Sequence, residues 1–451
     1  MRPAIVAEKL GIPAVAVAAT TFLALSRAVS VAEGVPGLRI AEYPGTFSVD
    51  SASTMAQHFR GKTFGEIVEA LTAPRAATPA PSPRANGFQR ILTTSDLDRI
   101  GAQFFDQRLT DGLAITIPTV DRVEAFLRYT DVAPETELAV LRPANRRATP
   151  LTIAANAVMA GCRPKHMPLL MAAVEAIADP YYDLEQIGTT VCLNPFLLVN
   201  GPIIKELGLE YGQALVSRGP NPAIGRAFGL ILRNIAGFIP GEQYMGTFGY
   251  IMPFVVAEDE SGSPWEPFHV SHGFDRGVST VTAAGTHNWG FQAAPCGEDP
   301  EGLLKIIAAE LVKKINLNIA GIMGKFSMAL ILITPNVAQA IARGGYSKQE
   351  AENYLFENAR VHIDQISFEC KYGNASGGPE TIRSLKEKGW PLPDRWVELE
   401  GQDATVPAMP YPGMIDIVVC GDPNRNKAMV LYAVYTRPTT KQVTLLAARH
   451  R

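Results

Sequence analysis

The chain has 451 residues, of which 47% are apolar and 19% charged, a balance that excludes a disordered chain and supplies enough apolar surface for two or more cores. Its 41 basic and 44 acidic residues leave a net charge of −3, which excludes the basic field that nucleic-acid binding requires. Five cysteines without a Cys-x-x-Cys pair exclude a disulfide framework and point to a reducing cytoplasm.

In chain order, Ile5 to Leu10 reads as a helix closed by Gly11-Ile12-Pro13, and Ala14 to Ala19 as a buried strand. The run Ala14 to Leu25 also has the apolar character of a secretory signal. Against that, Glu8 and Lys9 interrupt its approach and it is too short to span a bilayer, so no membrane segment is expected. A helix over Thr21 to Ala32, a strand over Leu38 to Glu42 and a helix over Ser53 to Leu71 follow. This alternation predicts a small parallel α/β unit, partially Rossmann-like, over residues 1–72. Because it opens on a helix, such a unit lacks its first strand or takes it from another chain. Residues 73–87, rich in Pro and Ala, read as a linker.

Residues 88–451 read as a larger mixed α/β domain, divisible into lobes at 88–299 and 300–451. Helices are expected over Pro168 to Ala178 and Ala223 to Ile235, with strands near Tyr250 to Val256 and Ser279 to Ala283. Beyond Pro300 the pattern gives a helix over Leu303 to Ile315, a strand over Met328 to Ile333 and a helix over Asn336 to Ala342. A further helix over Ser347 to Arg360 and strands over Ile415 to Cys420 and Ala428 to Tyr435 close the chain. Ser347-Lys348-Gln349-Glu350 is a capping-box sequence, which fixes one helix start. No repeat with a period of roughly 20 to 50 residues is present.

Chemistry-bearing residues crowd between Gly161 and Thr282. Cys162 sits at a Gly-Cys turn before a helix start near Pro168, with Arg163, Lys165 and His166 beside it. A helix N-terminus and neighbouring cations favour thiolate, so Cys162 is a candidate nucleophile, set against a buried turn cysteine. His269 and His272 follow Glu258, Asp259, Glu260 and Glu266. Imidazole with carboxylate suits a zinc or iron site built on His269, His272 and Glu258, and equally suits acid–base catalysis or a plain solvated loop. Asn221 to Arg226 opens a helix and offers Asn221 and Arg226 as an anion anchor. Asn200-Gly201-Pro202 offers a second such place. Glu175, in an apolar helix, is either a buried acid or a surface charge. No Gly-x-Gly-x-x-Gly or Walker loop supports nucleotide binding.

The pieces Gly161 to Pro168, Thr189 to Pro195, Asn221 to Arg226 and Ser263 to His272 resemble the large proteins associated with the UGSC family. That family is named for a selenocysteine-Gly-Ser-Cys or Cys-Gly-Ser-Cys motif. The stretch Val6 to Leu38 is similar to the back half of the small UGSC domain itself. The redox motif, which in the family precedes the helix ending at Gly-Ile-Pro, is absent here. The family's lysine- and histidine-bearing Gly-rich segment before its last strand reads Gly421-Asp422-Pro423-Asn424-Arg425-Asn426-Lys427.

The resemblance implies redox or sulfur-centred chemistry on a small organic substrate, as a thiol-dependent oxidoreductase, lyase or transferase subunit. A smaller partner bearing Cys-Gly-Ser-Cys would complete a hetero-oligomer. Within it Cys162 is the expected local thiolate, with Glu266 and His269 as proton carriers because they lie in the family-like segment beside Trp265 and Phe268. Asn221, Arg226, Asn200 and Trp265 are the expected substrate contacts. A metal-dependent hydrolase or lyase, and a non-catalytic scaffold, are the competing readings.

Overall fold

The computed structural model describes residues 1–47, 50–73, 96–191, 193–249, 252–290, 292–317, 327–373, 379–434 and 436–445. Cys192 and, apart from residue 73, the expected linker lie outside them. Thirteen strands are present among the described residues: β1 Val15–Ala19, β2 Arg39–Tyr43, β3 Ala139–Leu141, β4 Arg146–Ala148, β5 Asn194–Asn200, β6 Phe254–Ala257, β7 Thr280–Thr286, β8 Met328–Ile333, β9 Arg360–His362, β10 Thr405–Pro407, β11 Ile415–Val419, β12 Ala428–Ala433 and β13 Thr439–Gln442. The fold is mixed α/β, with parallel and antiparallel pairs.

At the N-terminal end, β1 and β2 pair in parallel, and the helices Arg2–Lys9 and Leu23–Ala32 join them in one cluster around Ile5, Ala16, Val35 and Leu38. The helix expected over Ser53 to Leu71 runs from Ala52–His58 to Phe64–Thr72 through one π turn at Phe59–Thr63.

Two larger sheets share one design. In the first, ordered β13-β7-β5-β6, the central β5 pairs in parallel with β6 and antiparallel with β7. In the second, ordered β11-β8-β12, the central β8 pairs in parallel with β11 and antiparallel with β12. Both central strands run into a Pro-containing helix start, at Asn200-Gly201-Pro202 and at Thr334-Pro335.

Side-chain alternation stacks these sheets face to face. Phe196 and Leu198 of β5 join Leu330 and Leu332 of β8, Val418 of β11 and Leu431 of β12 in one buried cluster. The residues between them, Leu197 and Val199 on β5 or Ile331 and Ile333 on β8, face outward onto helices. Strand side chains alternate with period two, so a strand apolar at every position is buried on both faces. The outer layers are the helices Met167–Ala178 and Asn221–Ile231 on one side, and Pro300–Lys314, Pro335–Arg343 and Lys348–Asn358 on the other. The result is a four-layer helix–sheet–sheet–helix sandwich. Strand β13, from the C-terminal part, pairs with β7 of the first sheet.

Ser347 and Glu350 form the expected capping box, with Glu350 accepting from the Ser347 amide at 2.8 Å. Strand β5 was not foreseen, because its Asn194-Pro195 start reads as a break; Pro is tolerated at the beginning of a strand. Among the described residues no helix is long and apolar enough to cross a membrane.

Gly225 lets the helix Asn221–Ile231 lie directly on the segment entering β6, since a Cβ there would sit 2.4 Å from the Pro253 carbonyl oxygen. In an open helix Gly→Ala stabilises; here the clash with backbone reverses the sign. Gly225→Ala is expected to cost about 1–3 kcal/mol, read as a lower urea midpoint. An unchanged or raised midpoint would show that the helix is not seated this closely.

Candidate functional site

Ligands of sheets with parallel strands gather outside the strands' carboxyl ends. At that end of β5 and β6, a cleft of ≈ 680 Å³ is lined by Gly201, Lys205, Glu210, Tyr211 and the run Glu258-Asp259-Glu260. Asn200 closes β5, and Glu258 follows the last residue of β6. Asn200 Nδ2 donates to Glu258 Oε2 at 2.5 Å and reaches Glu260 Oε1 at 3.4 Å. The Phe268 amide donates to Glu258 Oε2 at 2.8 Å, and the Gly201 amide to Glu260 Oε1 at 2.6 Å. Gly201 is required there: its φ is +87°, and a Cβ would lie 2.3 Å from the Val278 carbonyl oxygen.

Glu258 is almost fully buried, and loss of water pushes its carboxyl up to about 7, against the opposing pull of Lys348 and of its two hydrogen-bond donors. His269 is also buried, with Nδ1 3.7 Å from Glu260. Burial lowers its pKa, partly offset by the Glu260 charge, so the ring is neutral. Asn200 Oδ1 and Thr280 Oγ1, on facing residues of β5 and β7, are buried without a hydrogen-bond partner among the described residues. Buried polar atoms are normally paired. One of the two, Asn200 Oδ1, belongs to the side chain that bonds Glu258, which marks a place for a polar ligand or water.

A second acidic group lies behind this one. Lys348 is buried, donates to Ser271 Oγ at 3.2 Å and sits 5.9 Å above the Phe268 ring. Its charge pulls down three carboxyls, Glu258, Glu352 and Asp416, yet burial dominates in each and raises them.

Of the residues singled out from sequence, Asn200, Glu258, Asp259, Glu260 and His269 meet here. The others do not. Burial pushes the Cys162 thiol up to about 12, and Sγ donates to the Ala223 carbonyl at 3.3 Å. The expected helix-terminus effect fails because Pro164–His166 forms a separate 3-10 turn between Cys162 and the helix, and burial takes His166 down to about 4. Glu266 is exposed and makes none of the hydrogen bonds that surround Glu258. Arg226 is no anion anchor: it grips Asp111 through two bonds of 2.8 and 2.9 Å and the Ala114 carbonyl at 2.9 Å. Asn221 is fully buried and spends its amide on Glu210 and Leu215, pinning the loop that walls the cleft. Trp265 donates from its indole to the Tyr346 carbonyl at 3.0 Å and packs into the second sheet's outer core. Glu175 is an exposed helix charge.

The metal set is also not assembled. His272 is 39% exposed, turns Nε2 to Asp416 at 3.4 Å and places Nδ1 2.8 Å from the Phe268 carbonyl, away from Glu260. Among the described residues no three His, Cys, Asp or Glu side chains converge as a metal would need.

Residues 1–73 match the sequence model of the UGSC family. Over these residues the chain is similar to the UGSC family. No curated protein and no solved structure matches the chain. The cleft, and the pieces between Gly161 and His272 that resemble the family's large proteins, lie outside the matched UGSC residues.

The raised Glu258 carboxyl has a stability consequence whose sign is fixed. The folded state holds this proton up to about 7, whereas the unfolded chain releases it near the ordinary 4.5. Its contribution is therefore fully present below pH 4.5 and is lost as pH rises to about 7. Glu258→Gln lacks this term, so wild type should lose roughly 3 kcal/mol relative to the variant across that window. Urea unfolding at both ends checks it; a difference that does not change with pH would rule out a buried, proton-holding Glu258. Glu352, also pushed to about 7, adds the same slope to both proteins and cancels.

Proposed function

We propose that this chain is an enzyme subunit that binds a small polar organic molecule in the carboxylate-lined cleft and transfers a proton to it from Glu258. One observation carries this reading: a carboxyl at the wall of a cleft, at the carboxyl ends of parallel strands, whose proton affinity is moved to about 7. Such a group is half protonated at neutral pH, where general acid–base catalysis is most effective.

The surroundings suit donation. Both hydrogen bonds fall on Oε2, leaving Oε1 to carry the proton. Once the proton has gone, the Asn200 and Phe268 donors and the Lys348 charge stabilise the carboxylate, without having to reorganise. His269 with Glu260 is the second proton-handling pair, and Lys205 at the rim supplies a cation for an anionic substrate group.

The thiol or selenol chemistry implied by the UGSC likeness enters this reading from a second polypeptide bearing Cys-Gly-Ser-Cys. Residues 1–73 contain no cysteine, and burial raises the thiols of both Cys162 and Cys420. A reducing compartment is consistent with the free thiols of Cys162, Cys296 and Cys420. The metal-dependent reading loses its footing with the dispersal of His269 and His272.

The test is consumption of small molecules from a cell extract by purified protein, with and without a Cys-Gly-Ser-Cys polypeptide, followed by mass spectrometry. Wild type is expected to deplete at least one compound. Glu258→Gln should slow this by about 100-fold, in the range of general acid catalysis, while Cys162→Ala stays within about twofold. The wild-type rate should fall about tenfold for each pH step above about 7 as the acid loses its proton. Depletion untouched by Glu258→Gln would sink the assignment, and no depletion under either condition would return the chain to a non-catalytic scaffold.

A further inference from the structure

The second sheet has its own crevice at the place equivalent to the cleft. Beyond the carboxyl ends of the parallel pair β8 and β11 lies a cavity of ≈ 360 Å³, within the range of small-molecule sites. Thr334, which follows β8 as Asn200 closes β5, stands at its wall, and the segment Gly212 to Val216 separates it from the cleft. The two places differ in charge. Where the cleft has three consecutive acids, this cavity has Asp422, Arg425 and Lys427.

Its lining is divided. Leu215, Val216, Leu332, Met429 and the half-open indole of Trp289 form an apolar body. At the other end, Asp422 is engaged by Arg425 at 3.7 Å. Lys427 is half-buried and, among the described residues, has no carboxylate within ion-pair distance. A partly buried ammonium without a counter-charge, beside an apolar cavity, is matched by a ligand that brings its own negative charge.

We infer that this cavity is a second binding site, for a small molecule with an apolar body and a single anionic group, its charge held by Lys427 and its body laid against Trp289. The inference stands apart from the proton chemistry at Glu258, since none of the three cleft acids lines this cavity.

Calorimetric titration of the full chain with octanoate and with 3-phenylpropionate, each beside its uncharged alcohol, tests it. One acid should bind at one equivalent per chain, at least tenfold tighter than its alcohol. Lys427→Met should weaken the acid at least tenfold and leave the alcohol unchanged, while Lys427→Arg keeps acid binding. Leu215→Trp, which fills the apolar end, should weaken acid and alcohol alike. Circular dichroism melting identifies any variant that has lost its fold, and the remaining variants then decide. Equal binding of acid and alcohol, acid binding indifferent to Lys427→Met, or no saturable binding of either acid to wild type would overturn the assignment.

Discussion

Face-to-face packing of two sheets forces an acid out of water, and the proton chemistry proposed for the site rests on that. The Glu258 amide donates to the Val199 carbonyl on β5 at 3.2 Å, and the next amide, of Asp259, to the Val419 carbonyl on β11 at 2.8 Å. The backbone on either side of Glu258 is thus committed to both sheets. Ionising a carboxyl in such a place is costly unless it is paired, and a protein usually answers by letting the group keep its proton. One ammonium, Lys348, serves the buried Glu258 and the half-buried Glu352 and Asp416, so no one of them is neutralised fully. Shared charge of this kind leaves each acid poised, where a dedicated partner would have held it ionised.

The second consequence of the sandwich is duplication with divergence. Each central strand has a parallel neighbour, an antiparallel neighbour and a Pro-containing helix start, so each sheet presents a crevice at its carboxyl end. In one, the chain continues as Glu258-Asp259-Glu260; in the other it continues as Cys420-Gly421-Asp422 and meets Lys427. Both crevices share the wall that Asn221 fixes by its bonds to Glu210 and Leu215. A residue expected to touch substrate therefore acts one step away, by holding the partition in place.

Local signals in the sequence were sufficient for some of the elements and insufficient for the contacts. The run Met328–Ile333 announces a strand by its unbroken apolar character, and Ser347 with Glu350 announces a helix start, because both depend on neighbours in sequence. Arg226 could not be read the same way: the carboxylate that neutralises it, Asp111, lies far along the chain. His269 and Glu266 are near in sequence, yet one is wholly buried and the other exposed, since the turn through Pro267 sends them in different directions. Glu258 stood in a row of acids that reads as solvated. The available signal was its position, immediately after the apolar Phe254–Ala257 strand and facing the Asn200 that ends Phe196–Val199.

The pKa of Glu258 also bears on how a UGSC-type thiol could work with this site. Thiols tuned for reaction ionise at roughly 3.5–7.5. A sulfur that attacks as thiolate moves its negative charge onto the substrate or its leaving group, and quenching that charge takes a proton donor that is still protonated at the pH where the thiolate exists. An ordinary glutamic acid has already lost its proton there, and a fully dry, unpaired one would hold it too tightly to give. At about 7 Glu258 overlaps the thiolate range, and its two donors and Lys348 lower the cost of the charge it acquires on giving the proton up. Under the proposed division of labour the acid comes from this chain's sandwich and the sulfur from another polypeptide, so neither would be competent alone.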